Sequence, residues 1–252
     1  MIERRRVRRH HDVKPGTVGA AALRQCLVSP TVTQLSILSR RQFPLPSGND
    51  LDVNKAQIIV HEDYAAYPDE LLAKLKGAEG CIWAQGVSQN DVNKDEYIHI
   101  TYDFPLAAAK SFASLSPTDK FNFVYVSGEG ADPTEKTLTF YGKIKGRAEL
   151  ALLALPSTPA YSALRIFNVR PGYVDPPNPN RPTSALRNCV VDSVIVSTLR
   201  TLLPGLVTPV GTLGRVLVDL ATGDGAALTA ASGIEAGGRT VRSAAIRTLG
   251  GL

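Results

Sequence analysis

Short β-like runs alternate with helix-like segments along most of the 252 residues. Val32–Leu38, Ala56–Val60, Cys81–Ala84, Asn122–Val126 and Leu164–Val169 are apolar or β-branched runs of strand length. Between them, Gly16–Leu27 reads as a loop entering a helix, and Pro68–Lys76 as a short helix opened by a first-turn proline. Thr101–Leu115 reads as a helix with Pro105 near enough to its start to be tolerated. Thr139–Leu155 is rich in Ala, Leu and Lys and is stopped by Pro156. This alternation is the pattern of a parallel sheet with helical crossovers, so the fold class is α/β, one doubly wound sheet. A ligand would then sit beyond the carboxyl ends of the strands. Farther on, 175–181 (DPPNPNR) reads as a rigid surface loop, and Ser184–Leu203 and Gly211–Ala221 as helices. The Gly-, Ala- and Ser-rich tail gives no assignment. Three regions follow: a basic, poorly ordered leader over 1–12, a domain over 13–222, and an extension over 223–252 that packs on the domain or trails from it.

Charge sharpens this picture by its location. The chain has 28 Lys+Arg and 23 Asp+Glu, a net charge of +5. Residues 1–11 (MIERRRVRRHH) supply +4 of that, leaving the body nearly neutral and giving no case for a nucleic-acid partner. The long apolar zone from Cys189 to Val218 is interrupted by Asp192, Arg200, Pro204 and Pro209, which argues against stable membrane insertion. Cys26, Cys81 and Cys189 are odd in number and form no CxxC, so a reducing, cytoplasmic setting is the simpler expectation. No histidine has partners at metal-ligand spacing, so no metal is expected. Trp83, inside the apolar run CIWA, reads as core.

The sharpest chemical feature is Tyr141-x-x-x-Lys145 inside a helix. Four residues apart, the two side chains share a helical face. A cation beside a phenol favours the phenolate, which makes Tyr141 a candidate to donate a proton to a carbonyl or take one from an alcohol. Ser127 lies 14 residues upstream at the end of a strand, where it could hydrogen-bond the same oxygen. Tyr and Lys are also common on helix surfaces, so the spacing alone is weak.

Taken with PGTVGAAALRQCL, VTQLSILSRR, WAQGVS, FVYVSGEGA, YGKIKGRAE and FNVRPG, the pair resembles the short-chain dehydrogenase/reductase superfamily. The likeness is to its atypical NAD(P)-binding members of the Tat-interacting-protein and sugar-epimerase-like kind, over about residues 13–222. It implies a Rossmann-type fold, a nicotinamide cofactor and a Ser127–Tyr141–Lys145 site acting on a small-molecule substrate. It also implies that Lys145 holds the nicotinamide ribose and lowers the Tyr141 pKa, and that Pro171-Gly172 flanks the nicotinamide. Gly16 and Gly19 fall at the last two positions of a Gly-x-x-Gly-x-x-Gly phosphate loop, and Gly86 lets backbone approach the cofactor. Asp63 becomes an adenine contact, although with Glu62 it could equally be an acidic helix-start signal. Arg40 and Arg41 stand where an adenosine 2′-phosphate would be met, so NADP is preferred over NAD. The implied activity is an NAD(P)H-dependent oxidoreductase; the alternative is a non-catalytic NAD(P)-binding regulator or an inactive divergent member.

Two departures stand against this pattern. Thr101 occupies the approximate place of the asparagine that many members add to the triad. Val13 stands where the first loop glycine belongs, and Pro15 lacks a backbone N–H that could meet phosphate. The preceding RRVRRHHD has a single apolar residue, whereas a central parallel strand should read as an apolar run. The first strand is therefore expected to be absent or degraded. Three readings of the leader stay open: it is not the natural start, the chain is a divergent cofactor binder, or the segment is an Arg-rich targeting or anion-binding arm. Mitochondrial targeting is the lesser alternative, since the leader contains Glu3 and no Ser.

Overall fold

The computed structural model describes residues 16–116, 118, 120–175 and 207–252. Five parallel strands carry the architecture: β1 (Leu35–Ser39), β2 (Ala56–Val60), β3 (Gly80–Trp83), β4 (Phe121–Val126) and β5 (Leu164–Arg170). Helices alternate with them: α1 (Thr17–Val28), α2 (Asp69–Leu75), α3 (Lys94–Ile98), α4 (Phe104–Phe112) and α5 (Phe140–Ala154). This is the α/β alternation expected of a Rossmann-type chain. The leader and the helix expected over 184–203 lie outside the described residues, as does 176–181 of the Pro-rich segment.

Two details depart from the sequence reading. The first strand of the pattern starts at Leu35 rather than Val32. The helix expected over Thr101–Leu115 begins earlier, at Lys94, and passes through a π-helical turn at His99–Asp103 before α4. Pro105 explains the turn: it has no N–H to donate to the carbonyl four residues back, and its ring crowds that carbonyl. The freed carbonyl is that of Thr101, and it accepts a hydrogen bond from the Tyr125 hydroxyl at 3.1 Å. A proline near the start of a helix thus pins that helix to β4.

The strands form separate ladders. β1 pairs only with β2, while β3, β4 and β5 continue into β9 (Thr240–Arg242) and β8 (Ile234–Glu235). No described strand joins β1 to β3. The apolar side chains of Leu35, Ile37, Ile58 and Ile82 are only partly buried, although a strand covered on both faces would bury them. By contrast, β4 is buried at all six positions. A short pair, β6 (Tyr173–Asp175) and β7 (Val207–Pro209), leads into α6 (Val210–Thr222), and α7 (Ser243–Leu249) closes the chain. The tail therefore supplies a strand, β9, hydrogen-bonded in parallel to β5.

Two apolar layers cover the main sheet. One packs Phe121, Phe123 and Tyr125 against Phe112, Ala148 and Leu152 of α4 and α5. The other packs Val124, Phe167 and Val169 against Ala22 of α1 and Leu213, Val216 and Leu217 of α6. Helices α1 and α6 meet closely because Gly214 has no side chain: a Cβ there would lie 2.7 Å from the Ala21 carbonyl oxygen. Successive residues of β4 thus serve opposite layers, and both layers leave the carboxyl end of β4 to deliver Ser127.

Candidate active site

The residues singled out in the sequence stand at one end of the strands. Arg40 and Arg41 follow β1, Asp63 follows β2, Gly86 follows β3, Ser127 follows β4 and Pro171 follows β5. Gly16 immediately precedes α1, and Gly19 lies in its first turn. Ser127, Tyr141, Lys145 and the Pro171 backbone come together around the loop after β4. Arg40, Arg41 and Asp63 lie on the separate β1–β2 ladder.

Helix α5 presents Tyr141 and Lys145 because Thr139 caps its start, accepting a hydrogen bond from the Gly142 N–H at 3.2 Å. The Lys145 ammonium donates to the carbonyl oxygens of Val126 at 3.1 Å and Ser127 at 2.9 Å. It also lies 5.8 Å from the Tyr141 ring centroid and 5.6 Å from that of Tyr125. Burial pulls the Lys145 pKa down to about 8, with Glu149 opposing. The Tyr141 hydroxyl donates to the Glu129 carbonyl across a long 3.5 Å. Its pKa is pushed up to about 12, first by burial, then by Tyr97, Glu149 and Glu129, with Arg170 opposing. This corrects the expected direction: the lysine points at main-chain carbonyls, and burial raises the phenol pKa. At neutral pH the phenol keeps its proton, which suits donation rather than abstraction.

The Ser127 hydroxyl is buried and has no hydrogen-bond partner among the described residues. A buried unpaired hydroxyl costs about 1–3 kcal/mol, so a ligand oxygen at this point would relieve a real deficit. Gln85, beyond β3, likewise buries an unpaired side-chain oxygen at the same end of the sheet. These orphan groups fit a polar ligand crossing the carboxyl ends of β3 and β4. Among the described residues, no atom lies within 4 Å of where a Cβ would stand at Gly16 or Gly86. Asp63 spends one carboxylate oxygen on the Ala65 N–H at 2.9 Å. Among the described residues, Arg40 and Arg41 make no ion pair.

Gly128 is required by packing: a Cβ there would fall 1.8 Å from the Tyr141 oxygen. Gly128→Ala must therefore displace the Tyr141 ring, at an overpacking cost of about 1–3 kcal/mol. The expected result is lost turnover on a chain that still melts cooperatively, checked by thermal denaturation beside an activity assay.

Three neighbours escaped the sequence reading. Tyr97, one turn before Thr101, is buried; burial raises its pKa with Thr101 opposing, and among the described residues its hydroxyl meets no partner in hydrogen-bond geometry. Glu149 is buried on α5 and takes a two-pronged contact from Arg170, at 2.9 Å from Nε to Oε1. Glu149 stands four residues past Lys145 and eight past Tyr141, so its place on that helix face was readable. Glu129 had no such signal. Thr101 is buried, and its backbone carbonyl is what engages Tyr125.

A cavity of about 570 Å³ opens on the far side of the 128–133 loop, lined by Glu129, Asp132, Arg170, Glu235 and Arg242 among others. It contains none of Ser127, Tyr141 or Lys145. Among the described residues, no cluster of His, Cys, Asp and Glu could hold a metal, and no helix is long and apolar enough to cross a membrane.

The architecture is that of the short-chain dehydrogenase/reductase structures. An oxidoreductase of that family from Burkholderia thailandensis superposes with a TM-score of 0.60 at 12% identity, over 92% of this chain and 90% of that one. A family member from Francisella tularensis gives 0.56 at 13% identity, over 83% and 89%. MoeE5, solved with UDP-glucose and NAD, gives 0.55 at 18% identity, over 82% and 69%. No family model matches the chain. The sequence is 38% identical over 128 residues to the botcinic acid biosynthesis cluster B protein 16 of Botryotinia fuckeliana, covering 47% of this chain and 78% of that protein. The chain belongs to the family of that protein. It is also 42% identical over 145 residues to the leucinostatins biosynthesis cluster protein T of Purpureocillium lilacinum, over 58% of this chain but only 51% of that protein. The match thus spans about half the length of that relative.

Proposed function

We propose that this chain is an NAD(P)H-dependent reductase acting on a small carbonyl compound, through Ser127, Tyr141 and Lys145. The observation that carries this reading is the convergence at the end of β4: a buried Ser127 hydroxyl without a partner among the described residues, the Tyr141 phenol, and a half-buried Lys145 ammonium. Ser127 would donate its hydrogen bond to the substrate oxygen. Tyr141 would deliver its proton to that oxygen as charge develops there, and Lys145 would hold the ribose from beside the Ser127 carbonyl. A bound nicotinamide would supply the hydride. The occurrence of two relatives among biosynthesis-cluster proteins supports a tailoring step in natural-product assembly.

Arg40 and Arg41, exposed beyond β1 and free of ion pairs among the described residues, support NADP over NAD. Replacing both by Ala should weaken NADPH binding about 10–100-fold, the scale of one lost charge-assisted hydrogen bond, and leave NADH binding unchanged. Equal losses for the two nucleotides would reject the assignment of these arginines to the 2′-phosphate. The break between β1 and β3 supports a second reading, a nucleotide-binding protein without turnover. A panel of carbonyl compounds assayed with NADPH separates the two readings.

A further inference from the structure

We propose that Glu129 is a positioning residue for the Tyr141 hydroxyl, and that the C-terminal segment at Arg242 and Ser243 holds Glu129 in place. Every part of Glu129 is engaged. Its N–H donates to the Pro171 carbonyl at 2.9 Å, and its own carbonyl accepts from Tyr141 at 3.5 Å. Its carboxylate accepts from Arg242 Nε at 3.2 and 3.3 Å and from the Ser243 N–H at 3.3 Å. Gly128, just before it, has no room for a side chain beneath the Tyr141 oxygen. The short peptide between Ser127 and Gly130 is therefore clamped between the two halves of the site, β4 with α5 on one side and the tail on the other.

The clamp is closed by a chain of ion pairs. Arg242 donates to Glu235 at 3.2 Å, and Glu235 accepts from Arg170 at 3.1 Å. Arg170 grips Glu149, which rides on the same helix as Tyr141. The path thus runs from the catalytic loop through β9, β8 and β5 and returns to α5. All three side chains line the 570 Å³ cavity, but Arg170 and Glu149 are only 8% and 1% exposed, whereas Arg242 is 46% exposed. An exposed ion pair is sensitive to salt and to charged neighbours, so the position of Tyr141 is tied to a surface remote in sequence.

The test reads the phenol directly. Tyr141 is replaced by 3,5-difluorotyrosine, which is more acidic than tyrosine and gives a single 19F signal that follows ionisation. The groups facing it are Tyr97 from α3, Tyr125 from β4, Lys145 and Glu149 from α5, Arg170 from β5, and Glu129. With the other groups unchanged, Glu129→Gln should lower the titration midpoint, and Arg242→Gln, which removes the cation beside Glu129 but keeps the Ser243 N–H, should raise it. Shifts of roughly 0.5–1 pH unit are expected from a charge at this range. The double variant should return towards the parent, and Arg242→Lys should stay near it, which guards against simple unfolding. Opposite signs that cancel are the signature of positioning through charge. Shifts of the same sign, or none in any variant, would overturn the proposal. Its bearing on catalysis rests on the proposed role of Tyr141. Full turnover by Tyr141→Phe would overturn that role and leave the charge cycle intact, whereas failed 19F shifts with an inactive Tyr141→Phe would overturn only the clamp.

Discussion

Tyr141→Phe should lower turnover with NADPH and a carbonyl substrate by about 10²–10⁴-fold, the usual contribution of a placed general acid. The reason lies in the protonation state of the resting site. Burial and nearby acidic groups hold the phenol proton at neutral pH, and among the described residues its one hydrogen bond is the long one to the Glu129 carbonyl. Phe keeps the ring and its packing but has no proton to give. NADPH affinity should be unchanged if the proposed ribose contact belongs to Lys145. The pH dependence has a defined sign. The free-protein Lys145 loses its charge as pH rises through about 8, so reductive kcat/KM should fall above that value while the Tyr141 proton remains. A profile flat to pH 10, or unchanged turnover in Tyr141→Phe, would refute the assignment.

The largest stability effect should come from Glu149→Ala. Glu149 and Arg170 are buried together, with side-chain exposures of 1% and 8%. Removing the carboxylate leaves a guanidinium in the interior with only the half-exposed Glu235 as a partner. Breaking one side of a buried pair costs about 3–5 kcal/mol because the surviving charge is uncompensated. For a chain of this size that corresponds to roughly 6–20 °C in Tm. Replacing both partners by apolar residues, Glu149→Leu with Arg170→Met, should recover much of the loss. If the single variant melted like the parent, the pair would not be buried as described.

The parallel-strand pattern was legible because β4 (FNFVYV) and β5 (LRIFNVR) are largely apolar and buried at nearly every position, as a strand covered on both faces must be. Tyr141 and Lys145 were legible for a similar reason, since a four-residue spacing fixes a shared helix face before any packing is known. The π-turn at His99–Asp103 was not, although its cause, Pro105, was in view: the turn depends on Tyr125 arriving from β4 to use the freed Thr101 carbonyl. The direction of the Tyr141 pKa was also beyond local reading. Spacing places a lysine near a phenol, but only the strand-end carbonyls show where the ammonium points. Glu129 and Arg242 are 113 residues apart and carry no motif, so their contact could emerge only from the fold. The tail was illegible as composition because β9 is three residues long and gains its place by pairing with β5.

The most direct measurement is NADPH titration of this chain, read by energy transfer from Trp83, alongside Lys145→Met and a version whose residues 1–15 are replaced by an apolar strand and a Gly-x-x-Gly-x-x-Gly loop. A dinucleotide site at the carboxyl ends of these strands predicts saturable binding, weakened in Lys145→Met and tightened where the break between β1 and β3 is bridged. Absence of saturable binding in both the parent and the bridged chain would contradict it.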